Sequence, residues 1–140
     1  MPLPVMSPGI IHQWLVMVRA QEPHVSKGLG QALAETLLNK NFIIVGSTDL
    51  SHFYDQEAAL EYDRTMLRQI ESFSPEGVYA AERMGKGFAC GLGALTAVMW
   101  AARELGADKV KILRHATSGD VTRDYSSVVG YGAAAILKSK

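Results

Sequence analysis

Continuous apolar runs and apolar positions spaced by three or four residues take turns along this chain. Trp14-Leu15-Val16-Met17-Val18 is a continuous run and reads as a strand. Glu22-Pro23 opens a turn, and Val25 to Asn39 reads as a helix whose Leu29, Leu33 and Leu37 form one buried stripe. Phe42-Ile43-Ile44-Val45, bounded by turn formers, reads as a buried strand of a parallel sheet that ends near Ser47. Asp55 can cap the next helix by accepting a backbone N–H. In that helix Ala59, Tyr62, Met66, Ile70 and Phe73 recur at three- and four-residue steps, while Glu57, Glu61, Asp63, Arg64 and Arg68 make a solvated face. Pro75 to Arg83 is predicted as a short helix, since proline suits a first helical position. Gly91 to Leu105 is an unusually apolar helix with Leu92, Leu95, Val98, Met99, Trp100, Ala102 and Leu105, stopped by Gly106. Lys109 to Ala116 reads as a strand, Thr117 to Ser126 as a polar loop, and Ser127 to Leu137 as a last strand. Strands alternating with helices predict the α/β class with a layered sheet. Met1 to Gly9, with three prolines and a glycine, is expected to be an irregular arm.

Composition narrows the picture. The chain has 140 residues, 48% of them apolar and 20% charged, which predicts a single domain over residues 1–140 with a real core. Lys plus Arg equals Asp plus Glu, so the formal charge is zero, and no Lys/Arg block appears. That excludes a nucleic-acid electrostatic footprint. No apolar stretch is long enough for a bilayer span, and the first residues lack the basic segment of a signal peptide. One cysteine allows no internal disulfide and suits a reducing compartment, so a cytoplasmic protein is expected.

Candidate chemistry sits in two stretches, Ser47-Thr48-Asp49-Leu50-Ser51-His52 and Ala89-Cys90-Gly91. Asp49 and His52 fall just past the carboxyl end of the second predicted strand, where open α/β sheets place their sites. An imidazole suits proton transfer near neutral pH, and Asp49, three residues away, could orient it. The plainer readings are a loop histidine bonded to a carbonyl and an Asx-turn at Asp49. Cys90 stands either as a small buried hydrophobe or as a thiol at a helix start, where the positive helix end favours a thiolate. Ser118-Gly119-Asp120 reads as a turn, although it could border the site. Gly85-x-Gly87 with Gly91-x-Gly93 lacks the dinucleotide spacing. Trp14 and Trp100 read as core.

Taken in order, these segments resemble the Memo family. The matching elements are Ser47-Thr48-Asp49-Leu50-Ser51-His52-Phe53, Ala89-Cys90-Gly91, and Ala116-Thr117-Ser118-Gly119-Asp120-Val121-Thr122 leading into Ser127-Val128-Val129-Gly130-Tyr131. Val16-Met17-Val18 and Gln21-Glu22-Pro23 also sit where the family has a strand and a turn before its Leu29-Gly30 helix. The resemblance implies a three-layer α/β sandwich around a mostly parallel sheet, similar to class III extradiol dioxygenases. It implies that this chain corresponds to the later half of such a unit. His52 matches the histidine corresponding to the dioxygenases' acid/base, Cys90 a thiol close to the metal-type site, and Asp49 an acid beside that histidine. The family's earlier half supplies two further histidines, which His12 and His24 do not match. Leu92 and Ala94 also stand where the family has an Arg and a Pro.

The expectations that follow are concrete. Catalytic candidates are His52, Cys90 and Asp49, and metal-ligand candidates are Cys90 and His52. The complete family site implies a divalent iron, copper or zinc ion. This chain alone is expected to hold none tightly, because a competent site needs about three protein ligands with support behind them. The first functional reading is a Memo-like protein with an incomplete dioxygenase-like cleft, inactive by itself. The alternatives are a non-catalytic module that self-associates or binds a partner, and a Cys–His hydrolase or transferase. Expected partners are a second copy in a dimer and, by family association, radical-SAM and AMME-type proteins. Neither nucleic acid nor membrane is expected.

Overall fold

The computed structural model describes residues 13–139. The Met1–Gly9 arm and His12 lie outside the described residues. Helices α1 (Pro23–Leu37), α2 (Gln56–Glu71), α3 (Pro75–Arg83) and α4 (Leu92–Glu104) surround strands β1 (His52–Tyr54), β2 (Lys109–Thr117) and β3 (Val128–Leu137); a single helical turn, α5 (Gly119–Thr122), joins β2 to β3.

Local sequence explains the helix ends. The Asp55 carboxylate accepts from the Ala58 N–H at 3.0 Å and caps α2. The Ser74 hydroxyl accepts from the Gly77 N–H at 2.9 Å and caps α3, with Pro75 at its first position. Gly106, at φ +82°, ends α4 in the left-handed conformation that glycine reaches without strain.

The mixed helix and sheet class agrees with the sequence expectation, but the sheet is different. Its order is β1-β3-β2, and both described pairings are antiparallel. The two strands expected at Trp14–Val18 and Phe42–Val45 are absent: neither segment is assigned to a strand, and no partner pairs with them among the described residues. A strand exists only through inter-strand hydrogen bonds, so an apolar run with no neighbour cannot become one. Trp14 is correspondingly 87% exposed rather than core, and Ile43 is 89% exposed.

Helix faces also depart from the periodicity. In α1 the buried positions are Ser26, Gly30 and Ala34, while the leucine stripe is only half-buried. Small residues win because α1 lies tight on α4: a Cβ on Gly30 would stand 2.6 Å from Trp100 Cβ and 2.7 Å from the Ala97 carbonyl oxygen. Asp63 is fully buried with Ala59, Met66 and Ile70 on the inner face of α2, not on the solvated face. In α4 the buried side chains include Leu92, Thr96, Ala97, Met99 and Ala101, whereas Val98 and Trp100 are half-buried. Lys27 and Arg103 lie over the Trp100 ring at 4.8 and 5.0 Å.

The core gathers Leu50, Met66, Ile70, Val78, Ala81, Ala89, Leu92 and Met99 between α2, α3, α4 and the sheet. Met66 and Met99 are completely buried, and each contributes about 2 kcal/mol. Because Leu50 and Ala89 belong to this core, the loops that follow them are held to a rigid base.

Candidate functional site

Two loops 41 residues apart are stitched into one surface. The Cys90 N–H donates to the Asp49 carbonyl at 3.2 Å, and the Asp49 N–H donates to Cys90 Sγ at 3.2 Å. The Thr48 hydroxyl accepts from the Gly91 N–H at 2.8 Å and lies 3.7 Å from Cys90 Sγ. Gly91 is required here: a Cβ would stand 2.6 Å from the Ser47 carbonyl oxygen. The Gln21 amide clamps the same loop, donating to the Cys90 carbonyl at 3.2 Å and accepting from the Gly93 N–H at 3.0 Å.

The chain then turns into β1. The Leu50 N–H donates to the Gly130 carbonyl, and the Gly130 N–H donates back to Ser51, both under 3.0 Å. Phe53 holds a left-handed backbone at φ +66° within a register shift of the β1–β3 pairing. A bulky residue in that region costs on the order of 1 kcal/mol, and such strain clusters at functional sites. His52 Nε2 lies 3.5 Å from Asp49 Oδ2, with both side chains partly exposed.

The structure therefore brings the three sequence candidates together. One ligand atom each from Asp49, His52 and Cys90 fall within 4.8 Å of one another. Cys90 is exposed, not a buried hydrophobe. Among the described residues the other two histidines go elsewhere: His24 is exposed on α1, and His115 Nε2 pairs with Asp63 Oδ2 at 2.7 Å. Ser118-Gly119-Asp120 is a local turn. The Asp120 carboxylate accepts from the Thr117 N–H at 2.9 Å, and the Ser118 hydroxyl accepts from the Val129 N–H at 3.0 Å.

His52 and Cys90 open into a recess of about 220 Å³ shared with Leu50, Tyr54, Glu82, Phe88 and Ala89. Its aromatic wall is built: Tyr54 and Phe88 stack with centroids 5.6 Å apart, and Tyr62 meets the Phe88 ring edge-on at 5.1 Å. Glu82 accepts from the Ala89 N–H at 3.1 Å. Burial pushes its carboxyl above the ordinary carboxylate range, against the pull of that N–H. A larger depression of about 440 Å³ runs along the outer face of α2 between Glu57 and Arg68, without a thiol or an imidazole.

Sequence reasoning missed Gln21, Thr48, Glu82 and the Asp63–His115 pair. Asp63 alone carried a signal, since it continues the Ala59, Met66, Ile70 spacing of the buried face.

Comparison with known proteins gives a consistent picture. The profile of the Memo-like protein family matches residues 15–135. A MEMO1 family protein of Nitrosopumilus maritimus is 37% identical over 118 residues, covering 84% of this chain and 43% of that protein. MEMO1 family proteins of Methanococcus vannielii and Methanocaldococcus jannaschii are each 35% identical, covering 84% and 86% of this chain and 42% of their own lengths. The chain thus spans less than half the length of these relatives.

Proposed function

We propose a function from one premise: this chain belongs to the Memo-like protein family. It carries one wall of a metal-dependent, dioxygenase-like cleft, the wall bearing an acid, an imidazole and a thiol, and it needs the rest of a family-length unit for activity. The observation that supports this reading is the convergence of Asp49, His52 and Cys90 donor atoms within 4.8 Å. In the complete unit the sheet is a mostly parallel layer of a three-layer sandwich, to which Trp14–Val18 and Phe42–Val45 contribute strands.

The donor set fits a borderline divalent ion in kind. A carboxylate, an imidazole and a thiolate are ligands of iron, copper and zinc alike. Cys90 and His52 would hold such an ion with Asp49 beside them, and it would supply Lewis-acid or redox chemistry when bound. The rest of the chemistry lies in the chain's own side chains. Asp49 orients the His52 ring, and His52 holds or releases a proton toward the recess. The Asp49 N–H fixes the Cys90 sulfur. Leu50, Tyr54 and Phe88 keep the recess partly dry. The site belongs to a protein of the cytoplasm that assembles as a dimer and works alongside radical-SAM and AMME-type proteins.

Titration of the full chain with cobalt(II) tests the reading. Weak binding is expected, with a thiolate charge-transfer band that His52→Ala and Cys90→Ala each abolish. A spectrum indifferent to both substitutions overturns it. A Cys–His hydrolase or transferase is a second reading, supported by the exposed thiol in the same recess as His52. Its signature is rapid alkylation of Cys90 at mild pH that slows in His52→Ala.

A further inference from the structure

The recess that holds His52 and Cys90 is also lined by a carboxylate that the metal reading leaves unused. Glu82 Oε2 accepts from the Ala89 N–H at 3.1 Å. Its other oxygen, Oε1, has no hydrogen-bond partner among the described residues, and Glu82 forms no ion pair among them. Oε1 is nevertheless not sealed in the core. A half-buried carboxylate that lines an open recess without a basic partner is an incomplete arrangement, because burial penalises a lone charge.

The rest of the lining limits what can complete it. No lysine or arginine lines the recess, and its one imidazole stands 3.5 Å from the Asp49 carboxylate. An anion would meet two carboxylates there and no fixed cation. A neutral apolar group would cover Oε1 without offering it a hydrogen bond. An ammonium group answers both features: its N–H donates to a carboxylate, and aromatic rings attract a cation. The rings are already braced, since the Tyr54 centroid lies 4.7 Å from that of Tyr62 and 5.6 Å from that of Phe88. At about 220 Å³ the recess is smaller than the roughly 300–1,000 Å³ of drug-sized sites, so it suits one small head group. The depression on the outer face of α2 makes the contrast: Glu57 and Glu61 share it with Arg64 and Arg68, and no aromatic ring lines it.

We propose that the recess binds a small alkylammonium group, its N–H on Glu82 Oε1 and its alkyl part against Tyr54, Phe88 and Leu50. The inference names the substrate class of the cleft read above, and rests on that reading for the recess being part of a working site. Cation binding itself is measured without metal, so either can fail alone.

Nuclear magnetic resonance of the full chain, titrated at neutral pH with n-butylammonium and separately with n-butanol, tests it. The ammonium ion is expected to shift the Tyr54 and Phe88 ring signals and to bind about tenfold more tightly than the alcohol. Glu82→Gln keeps an acceptor for the Ala89 N–H, and is expected to retain the circular dichroism of the parent while weakening the ammonium ion about tenfold. Phe88→Leu removes a ring and is expected to weaken it about threefold. Nα-acetyl-lysine amide separates the two sources of such a group: binding at least as tight as that of n-butylammonium assigns a lysine side chain, and weaker binding assigns a free amine. Equal affinity for ammonium and alcohol, binding unchanged by Glu82→Gln, or shifts that appear equally along Glu57 to Arg68 overturn the ammonium site. Cation binding in a chain whose cobalt(II) spectrum ignores His52 and Cys90 sustains the ammonium site and sinks the metal reading. A cobalt(II) band that needs both residues, with no cation binding, does the reverse.

Discussion

Asp63 and His115 pair at the margin of the core: His115 Nε2 stands 2.7 Å from Asp63 Oδ2, with Asp63 completely enclosed and His115 partly exposed. The other carboxylate oxygen accepts the Ser51 N–H at 3.0 Å. One side chain of α2 thereby ties β2 to the residue preceding His52. Gly130 closes the arrangement from the β3 side, because a Cβ there would collide with the Asp63 carboxylate.

Asp63→Ala should therefore be costly, since it strands the buried Ser51 N–H and takes the partner of the half-buried His115 ring. A loss of about 3 kcal/mol is expected, from the unsatisfied buried Ser51 N–H and the lost bond to His115. In a chain of this size that lowers Tm by about 10 °C. Calorimetry reads the loss, and a Tm within two or three degrees of the parent would show that the pair is not structural.

The two sides of the helical layer give a contrast. Met99→Asp places a carboxylate without a partner among Leu50, Met66 and Leu92, and is expected to prevent folding. Glu57→Ala, on the exposed first turn of α2, should change stability by no more than about 0.5 kcal/mol. Chemical denaturation separates them, and comparable losses would mean that the helix faces are misassigned.

Phe53 is held at φ +66° while 78% exposed, so its ring contributes little burial against the backbone cost. Phe53→Gly should relieve strain and raise stability by about 0.5–1 kcal/mol. The same change frees the loop to move His52 away from Asp49. A measurable fall in cobalt(II) affinity alongside a higher Tm would reveal that trade, whereas a lower Tm would show that the ring is bound to something after all.

Stability should carry a signature of Glu82. Its folded carboxyl is raised above the unfolded value of 4.5 by burial, so the folded chain holds the proton longer than the unfolded one. The contribution is complete below the unfolded value and is lost as pH rises through the folded one. Glu76, Asp108 and Asp124 are lowered and slope the other way. For that reason the informative quantity is the difference between the parent and Glu82→Gln. The variant is expected to gain Tm relative to the parent as pH rises above the unfolded value of 4.5; parallel Tm curves would refute a carboxyl raised by burial at this position.

Local signals explain which elements were readable in the sequence. Asp55 and Pro75 announce α2 and α3 because each signal lies within four residues of the turn it starts. β2 and β3 lie close in sequence and pair with each other, so both runs found partners. Trp14–Val18 and Phe42–Val45 carry equally strong strand patterns, but pairing is a property of two segments, and the sequence of one cannot supply the other. The leucine stripe of α1 misleads for a similar reason: what decides its inner face is the closeness of α4 at Gly30. Asp49, His52 and Cys90 were legible through their loops and their likeness to a family. The clamp at Gln21 and the pairing of Asp63 with His115 were not, since their partners stand 69 and 52 residues away.

The clamp at Gln21 bears on the order in which the molecule assembles. Its bonds to Cys90 and Gly93 span 69 and 72 residues, and those joining Thr48 and Asp49 to the Cys90 loop span 41 to 43. Contacts of that separation require closure of long loops, whereas the turns of α2 and α3 close within four residues. During refolding the helices are thus expected to precede the cleft, and a species trapped early would have native-like helicity while its thiol was still free of the aspartate loop.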